Sequence, residues 1–111
     1  MKFAESTNGS VLVVKVLSSR ITADIAPSFK EGIINYVNKG SRKIVLDMSE
    51  VTFIDSSGLG ALIGCIKVIG DDGALVLYGA RDAVVSMFKL TRMNKVFPMY
   101  ASQEEAVSAV S

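Results

Sequence analysis

Asp55-Ser56-Ser57-Gly58 places a carboxylate and two hydroxyls where an apolar strand pattern gives way to a helical one. Residues 51–54 read as the end of a strand. From there Leu59, Leu62, Ile63, Ile66 and Ile69 recur at i, i+3, i+4, i+7 and i+10, which marks one face of a helix. A hydroxyl at a helix N-terminus sits among backbone N–H groups that lack intrahelical partners, at the positive end of the helix dipole. Negative charge acquired there is stabilised, so a phosphorylatable hydroxyl at this tip, on Ser56 or Ser57, would make a switch. Ser57 reads as a cap or helix-start residue. Asp55 reads either as a turn residue that satisfies backbone donors or as a group that orients the neighbouring hydroxyl. Gly60, Ala61, Gly64 and Lys67 fall on a second, nearly bare face. An interior glycine costs a helix about 1 kcal/mol relative to alanine. That cost is expected where another surface must come close: a docking partner is the favoured occupant, the domain's own sheet the alternative. The expected partner-binding set is Asp55, Ser57, Gly58, Gly60, Ala61, Gly64 and Lys67, with Asp24 from the loop before the first helix.

Other chemistry is poorly supplied. The chain has no histidine and a single cysteine, Cys65. That removes Ser-His-Asp and Cys-His pairs and any histidine-containing zinc site. No G-x-x-x-x-G-K-[ST] loop is present, and no G-x-G-x-x-G follows the first strand. Ser56 lacks a G-x-S-x-G elbow. Asp55 as a phospho-aspartate acceptor would need an acidic cluster for Mg²⁺, yet residues 11–16 run into Leu17-Ser18-Ser19-Arg20 with no acidic pair. A non-enzymatic binding module, without cofactor or metal, is the expectation.

The totals agree. The 111 residues suit one compact domain, and 50% of them are hydrophobic, enough for a real core. A net charge of +1 without a basic stripe argues against direct binding to nucleic acid or a membrane surface. Cys65 cannot form an internal disulfide and reads as a small buried hydrophobe of a reducing compartment. Met1-Lys2-Phe3-Ala4-Glu5 turns polar at once, unlike a signal peptide, and the apolar runs are too short to cross a bilayer. A cytoplasmic location without membrane insertion is expected.

The elements that must carry the tip follow from pattern. A strand near residues 2–5, a turn at residues 6–9 and a strand at residues 11–16 predict a hairpin. Residues 25–39 predict a helix, with Asp24 as N-cap, Pro27 in the first turn and Gly40 at C′. Phe29, Ile33, Tyr36 and Val37 share its apolar side. Residues 43–46 read as a buried strand. The helix at residues 59–69 is closed by Gly70-Asp71-Asp72-Gly73 and followed by a strand at residues 74–78. A helix over residues 81–90, a brief strand at Val96-Phe97 and a helix over residues 103–110, capped by Ser102, complete the chain. Phe88, Phe97, Met87, Met93 and Met99 are expected in or beside the core; Lys89, Arg92 and Lys95 are expected on the surface. The alternation predicts an α/β sandwich: a small mixed sheet of four to five strands with about four α-helices and right-handed crossovers.

The run from Ile44 to Gly60, together with Ala26-Pro27 and Leu77-Tyr78-Gly79, resembles the STAS domain family, named for sulphate transporters and anti-sigma factor antagonists. The likeness covers nearly the whole chain and is greatest to free-standing bacterial antagonists. In those proteins the serine after the Asp is phosphorylated by an anti-sigma factor that is also a GHKL-type serine kinase, and the matching residue here is Ser56. The resemblance implies partner switching. The unphosphorylated protein sequesters the kinase and frees a sigma factor; the phosphorylated form releases it until a phosphoserine phosphatase acts. Many antagonists carry Gly at the position of Ser19 and an acidic residue at that of Thr22; here Asp24, two positions on, supplies the charge. A STAS subunit of a transporter complex or signalling scaffold is the second reading.

Overall fold

The alternation of short β-branched runs with amphipathic helices produces a five-stranded mixed sheet in the computed structural model, which describes residues 2–111. Strands β1 (Phe3–Asn8) and β2 (Val11–Val16) form the expected antiparallel hairpin. The turn is tighter than the sequence suggested. Ser6, Thr7 and Asn8 pair with Val13, Leu12 and Val11, leaving Gly9-Ser10 as the loop. Gly9, at φ 61°, takes the first central position, where a two-residue hairpin needs glycine.

Strand β4 (Lys43–Asp47) lies parallel to β2, β6 (Ala74–Tyr78) parallel to β4, and the short β7 (Met99–Tyr100) parallel to β6, giving the order β1-β2-β4-β6-β7. The last strand is therefore not Val96-Phe97. Phe97 is instead fully buried edge-to-face on Phe88, with ring centroids 5.8 Å apart, and a 3₁₀ turn at Met93–Lys95 brings it there. Burial of so large a ring outweighs its strand propensity.

A second, two-stranded parallel ribbon pairs β3 (Arg20–Ile21) with β5 (Phe53–Ile54). No periodicity announces it, because two residues are too few to show a period. It matters for the site: β5 is the short strand that delivers the chain to Asp55.

The central strands are buried on both faces, as parallel strands require. Leu12, Val14, Ile44, Leu46, Leu75 and Leu77 face helices α1 (Ala26–Asn38), α2 (Ser56–Ile69) and α3 (Asp82–Leu90). Val11, Val13, Val45 and Val76 face the C-terminal helix α4 (Gln103–Val110) through Ala106, Val107 and Val110. Helix α1 ends as its sequence implies: Gly40 takes φ 107°, Ser41 N–H reaches Tyr36 C=O, and Gly40 N–H reaches Val37 C=O, a Schellman closure. Its start differs. Asp24 is not the N-cap; Ile25 occupies that position without a side-chain cap. Thr22 C=O instead accepts the N–H groups of Ile25 and Ala26, and Asp24 accepts the Thr22 hydroxyl. Ser102 caps α4 as expected, accepting Glu105 N–H at 3.2 Å.

Asp47, at the end of β4, is the buried charged side chain among the described residues. It accepts Ser49 N–H at 2.9 Å and the Tyr78 hydroxyl at 2.8 Å. Burial, then the Asp47 hydrogen bond and charge, push the Tyr78 phenol up to about 12 from 10.0. The folded protein thus keeps this proton to higher pH than the unfolded chain does. The stabilisation is complete below pH 10 and fades as the pH climbs towards about 12. Cys65, pushed up to about 11 by burial, adds an alkaline loss of the same sign. Urea midpoints followed across this range are expected to fall less steeply for Tyr78→Phe than for wild type; parallel curves would show that Tyr78 contributes nothing.

Candidate functional site

The helix tip takes its shape from Asp55. Its backbone is extended (φ −103°, ψ −176°), and its C=O accepts the Leu59 N–H, so it is the N-cap of α2. Its Oδ1 accepts Gly58 N–H at 3.0 Å and its Oδ2 accepts Ala23 N–H at 3.1 Å. Of the two readings of Asp55, satisfaction of backbone donors is the one seen: its oxygens engage amides rather than the Ser56 hydroxyl. The serines are therefore relieved of capping. Ser56 and Ser57 begin α2 three residues earlier than the apolar periodicity implied, and both are exposed. The first turn bears no acidic residue, so its positive end is not neutralised from within the helix.

The small-residue face is divided, and the expectation of one bare flank is corrected. Gly58 is buried, and a Cβ there would collide with the Ile21 carbonyl oxygen and lie 2.7 Å from Ile54 Cγ1. Its missing side chain seats the helix tip on the β3–β5 ribbon and is not presented to a partner. Ala61 is buried at 7% exposure, and Cys65 is fully buried, while Ile63 and Ile66 of the apolar stripe are only half-buried. The reason is that α2 packs against α1 as well as the sheet, so its inner surface is wider than one stripe. At Gly64 a Cβ would lie 2.7 Å from Lys30 Cε, so the Lys30 side chain roofs that position. Gly60 is open, with nothing within 4 Å of a Cβ, and Lys67 is exposed. The accessible part of the expected set is thus Ser56, Ser57, Gly60 and Lys67, with Asp24 nearby on the preceding loop.

Two depressions lie at the helix tip. A cleft of about 570 Å³ is lined by Arg20, Thr22, Asp24, Phe53 and Asp55, with Ala23 at its rim. A shallow groove of about 410 Å³ runs past Pro27, Lys30, Ser57, Gly60 and Ala61, again with Ala23. Phe53 is 42% exposed, with the Arg20 guanidinium 5.5 Å from its ring centroid. Such an aromatic–arginine pair is of the kind enriched in protein interfaces. The Thr22 hydroxyl bond, foremost, holds the exposed Asp24 carboxyl below its ordinary range. Arg20, Ala23, Lys30 and Phe53 are not singled out from sequence as site residues, and Pro27 stands out there only as a helix-start and family-resemblance residue. The signal available was a large aromatic in an otherwise inward-facing strand, and it is legible only once the ribbon is known to be two residues long.

Chemically the tip can accept a charge and present a surface. No cluster of acidic or cysteine side chains suited to a metal occurs among the described residues. Nor is any described helix long and apolar enough to cross a membrane.

The STAS domain family matches residues 3–106. The chain belongs to the STAS domain family. It is 31% identical over 81 residues to an anti-sigma-B factor antagonist of Listeria monocytogenes, covering 72% of this chain and 71% of that protein. The crystal structure of an anti-sigma factor antagonist from Mycobacterium paratuberculosis superposes with a TM-score of 0.87 at 28% identity, covering 98% of this chain and 92% of the other. SpoIIAA of Bacillus, in its unphosphorylated form, shares the fold with a TM-score of 0.78 at 18% identity, over 97% and 95% of the two chains. These likenesses agree with the sandwich described above.

Within this STAS domain the two exposed-looking glycines separate cleanly. Gly58→Ala is expected to cost about 1–3 kcal/mol through overpacking against the ribbon. Gly60→Ala, in open space, is expected to be neutral or stabilising by up to about 1 kcal/mol. Chemical denaturation of both variants checks this; equal effects would mean that the tip does not rest on Ile21 and Ile54.

Proposed function

We propose that this STAS domain, working as one unit over residues 1–111, is an anti-sigma factor antagonist controlled by phosphorylation of Ser56. In this reading its partner is an anti-sigma factor that is also a GHKL-type serine kinase, and a phosphoserine phosphatase restores the binding form. One observation carries the proposal: Ser56 stands exposed in the first turn of α2, freed from capping by Asp55, and its two chain neighbours, Asp55 and Ser57, each line one of the two depressions. The relatives named as anti-sigma factor antagonists support the same role.

The switch is electrostatic and steric. A phosphate on Ser56 adds about −1.5 to −2 charges at neutral pH. It would lie at the helix N-terminus, so it need not unfold α2, but it would stand beside the Asp55 carboxylate. A partner fitted to the neutral hydroxyl would meet both bulk and like charge. Lowering affinity a thousandfold takes only about 4 kcal/mol, within reach of one badly placed charge at a close interface. Binding, not bond-making, is this chain's task; the kinase and phosphatase supply the chemistry.

Affinity capture from the native host, with and without phosphatase treatment, tests the proposal. Wild type and Ser56→Ala are expected to retain an anti-sigma factor, while Ser56→Asp and the phosphorylated protein retain about a hundredfold to a thousandfold less, corresponding to about 3–4 kcal/mol. Gly60→Leu, which adds bulk beside the serine without disturbing the core, is expected to weaken capture as well. Equal recovery by all forms would remove the switch, and recovery of a membrane transporter instead would favour a transporter-linked role.

A further inference from the structure

Ala23 is common to both depressions at the helix tip. It lies in the short segment between β3 and α1, outside any strand or helix. Within that segment, Thr22 C=O accepts the Ile25 and Ala26 N–H groups and Asp24 accepts the Thr22 hydroxyl. Those bonds set the segment's internal shape but not its seat against α2. The seat comes from Asp55 Oδ2, which takes Ala23 N–H at 3.1 Å while Oδ1 holds Gly58 N–H. One carboxylate therefore caps the helix and pins the segment beside it.

Resting on the docking role proposed above, the geometry points to Asp55 as a positioning residue for partner binding. It acts through the backbone of Ala23, seating residues 22–25 so that the Phe53 cleft and the Gly60 groove adjoin at Ala23 as one surface beside Ser57. Asp55 is needed in its ionised form for a geometric reason: each oxygen faces an N–H, and an amide offers only one acceptor.

Asp55→Asn isolates the bridge. Asparagine is as good an N-cap as aspartate, so its oxygen keeps Gly58 N–H, while its NH₂ confronts Ala23 N–H as donor against donor. Asp55→Ala removes cap and bridge together. Amide hydrogen exchange by NMR is read on each protein, alongside the thermal midpoint and the affinity for the anti-sigma factor recovered with wild type. For Asp55→Asn, Ala23 exchange is expected to quicken about tenfold, the size of one hydrogen bond. Gly58 exchange and the midpoint should stay near wild type, and affinity should fall about tenfold. The affinity loss should persist at about 1 M salt, where a bare surface charge is screened over roughly 3 Å. Asp55→Ala is expected to lose the midpoint as well.

Unchanged Ala23 exchange, faster exchange with affinity within about twofold, or an affinity loss that vanishes in high salt would each overturn the positioning role. A wild type that binds no anti-sigma factor removes the functional reading and the positioning role with it, and the exchange data then report separately whether the bridge exists.

Discussion

A helix tip must satisfy several backbone N–H groups that have no partner within the helix, and the way α2 meets this demand governs everything around it. Asp55 accepts the Gly58 N–H, so no serine hydroxyl is consumed in capping. Had Ser56 been the cap, modifying it would have sacrificed a hydrogen bond that holds the helix start. Displaced one residue into the helix, its hydroxyl can change charge while the cap remains. Under the proposed switch, stability and regulation would fall to adjacent residues, and neither would be given up for the other.

The tip stays in place because of what Gly58 lacks. Its backbone lies so close to Ile21 and Ile54 that a methyl group would not fit. This contact fastens α2 to the β3–β5 ribbon, while Leu62, Cys65 and Ile69 fasten it to the sheet and α1. The serines are thus displayed from a rigid base, and the neighbouring 22–25 segment is held to that base through Asp55. Displaying a hydroxyl on a fixed support lowers the ordering cost a partner would otherwise meet on docking.

A second carboxylate, at the end of β4, acts quite differently. Asp47 is buried, accepts one amide and one phenol, and has no solvent role. Tyr78 also lies 3.1 Å from Gln103 Oε1, linking β4 and β6 to the start of α4. The two aspartates each follow an apolar strand, yet one holds the fold together and the other shapes a surface. What separates them is burial, since a carboxylate sealed from water must have all its partners supplied by the protein.

Much of this was legible in the residues themselves. Alternating periodicities identified the hairpin, the parallel strands and the helices, and Gly40 and Ser102 marked their helix ends through local backbone chemistry that needs no distant partner. The serine motif and the missing histidine restricted the chemistry for the same reason. Tertiary contact decided the rest. Whether Gly58, Ala61 and Gly64 faced outward depended on α1, Lys30 and the ribbon closing over them, and glycine carries no polarity to betray its surroundings. Asp24 lost its capping role because Thr22 C=O reached the helix first, and Asp55 gained a second partner, Ala23, that lies 32 positions away. Helical and strand periods are short-range properties written along the chain; which small face is covered, and which amide a carboxylate meets across the fold, are set only when distant segments pack.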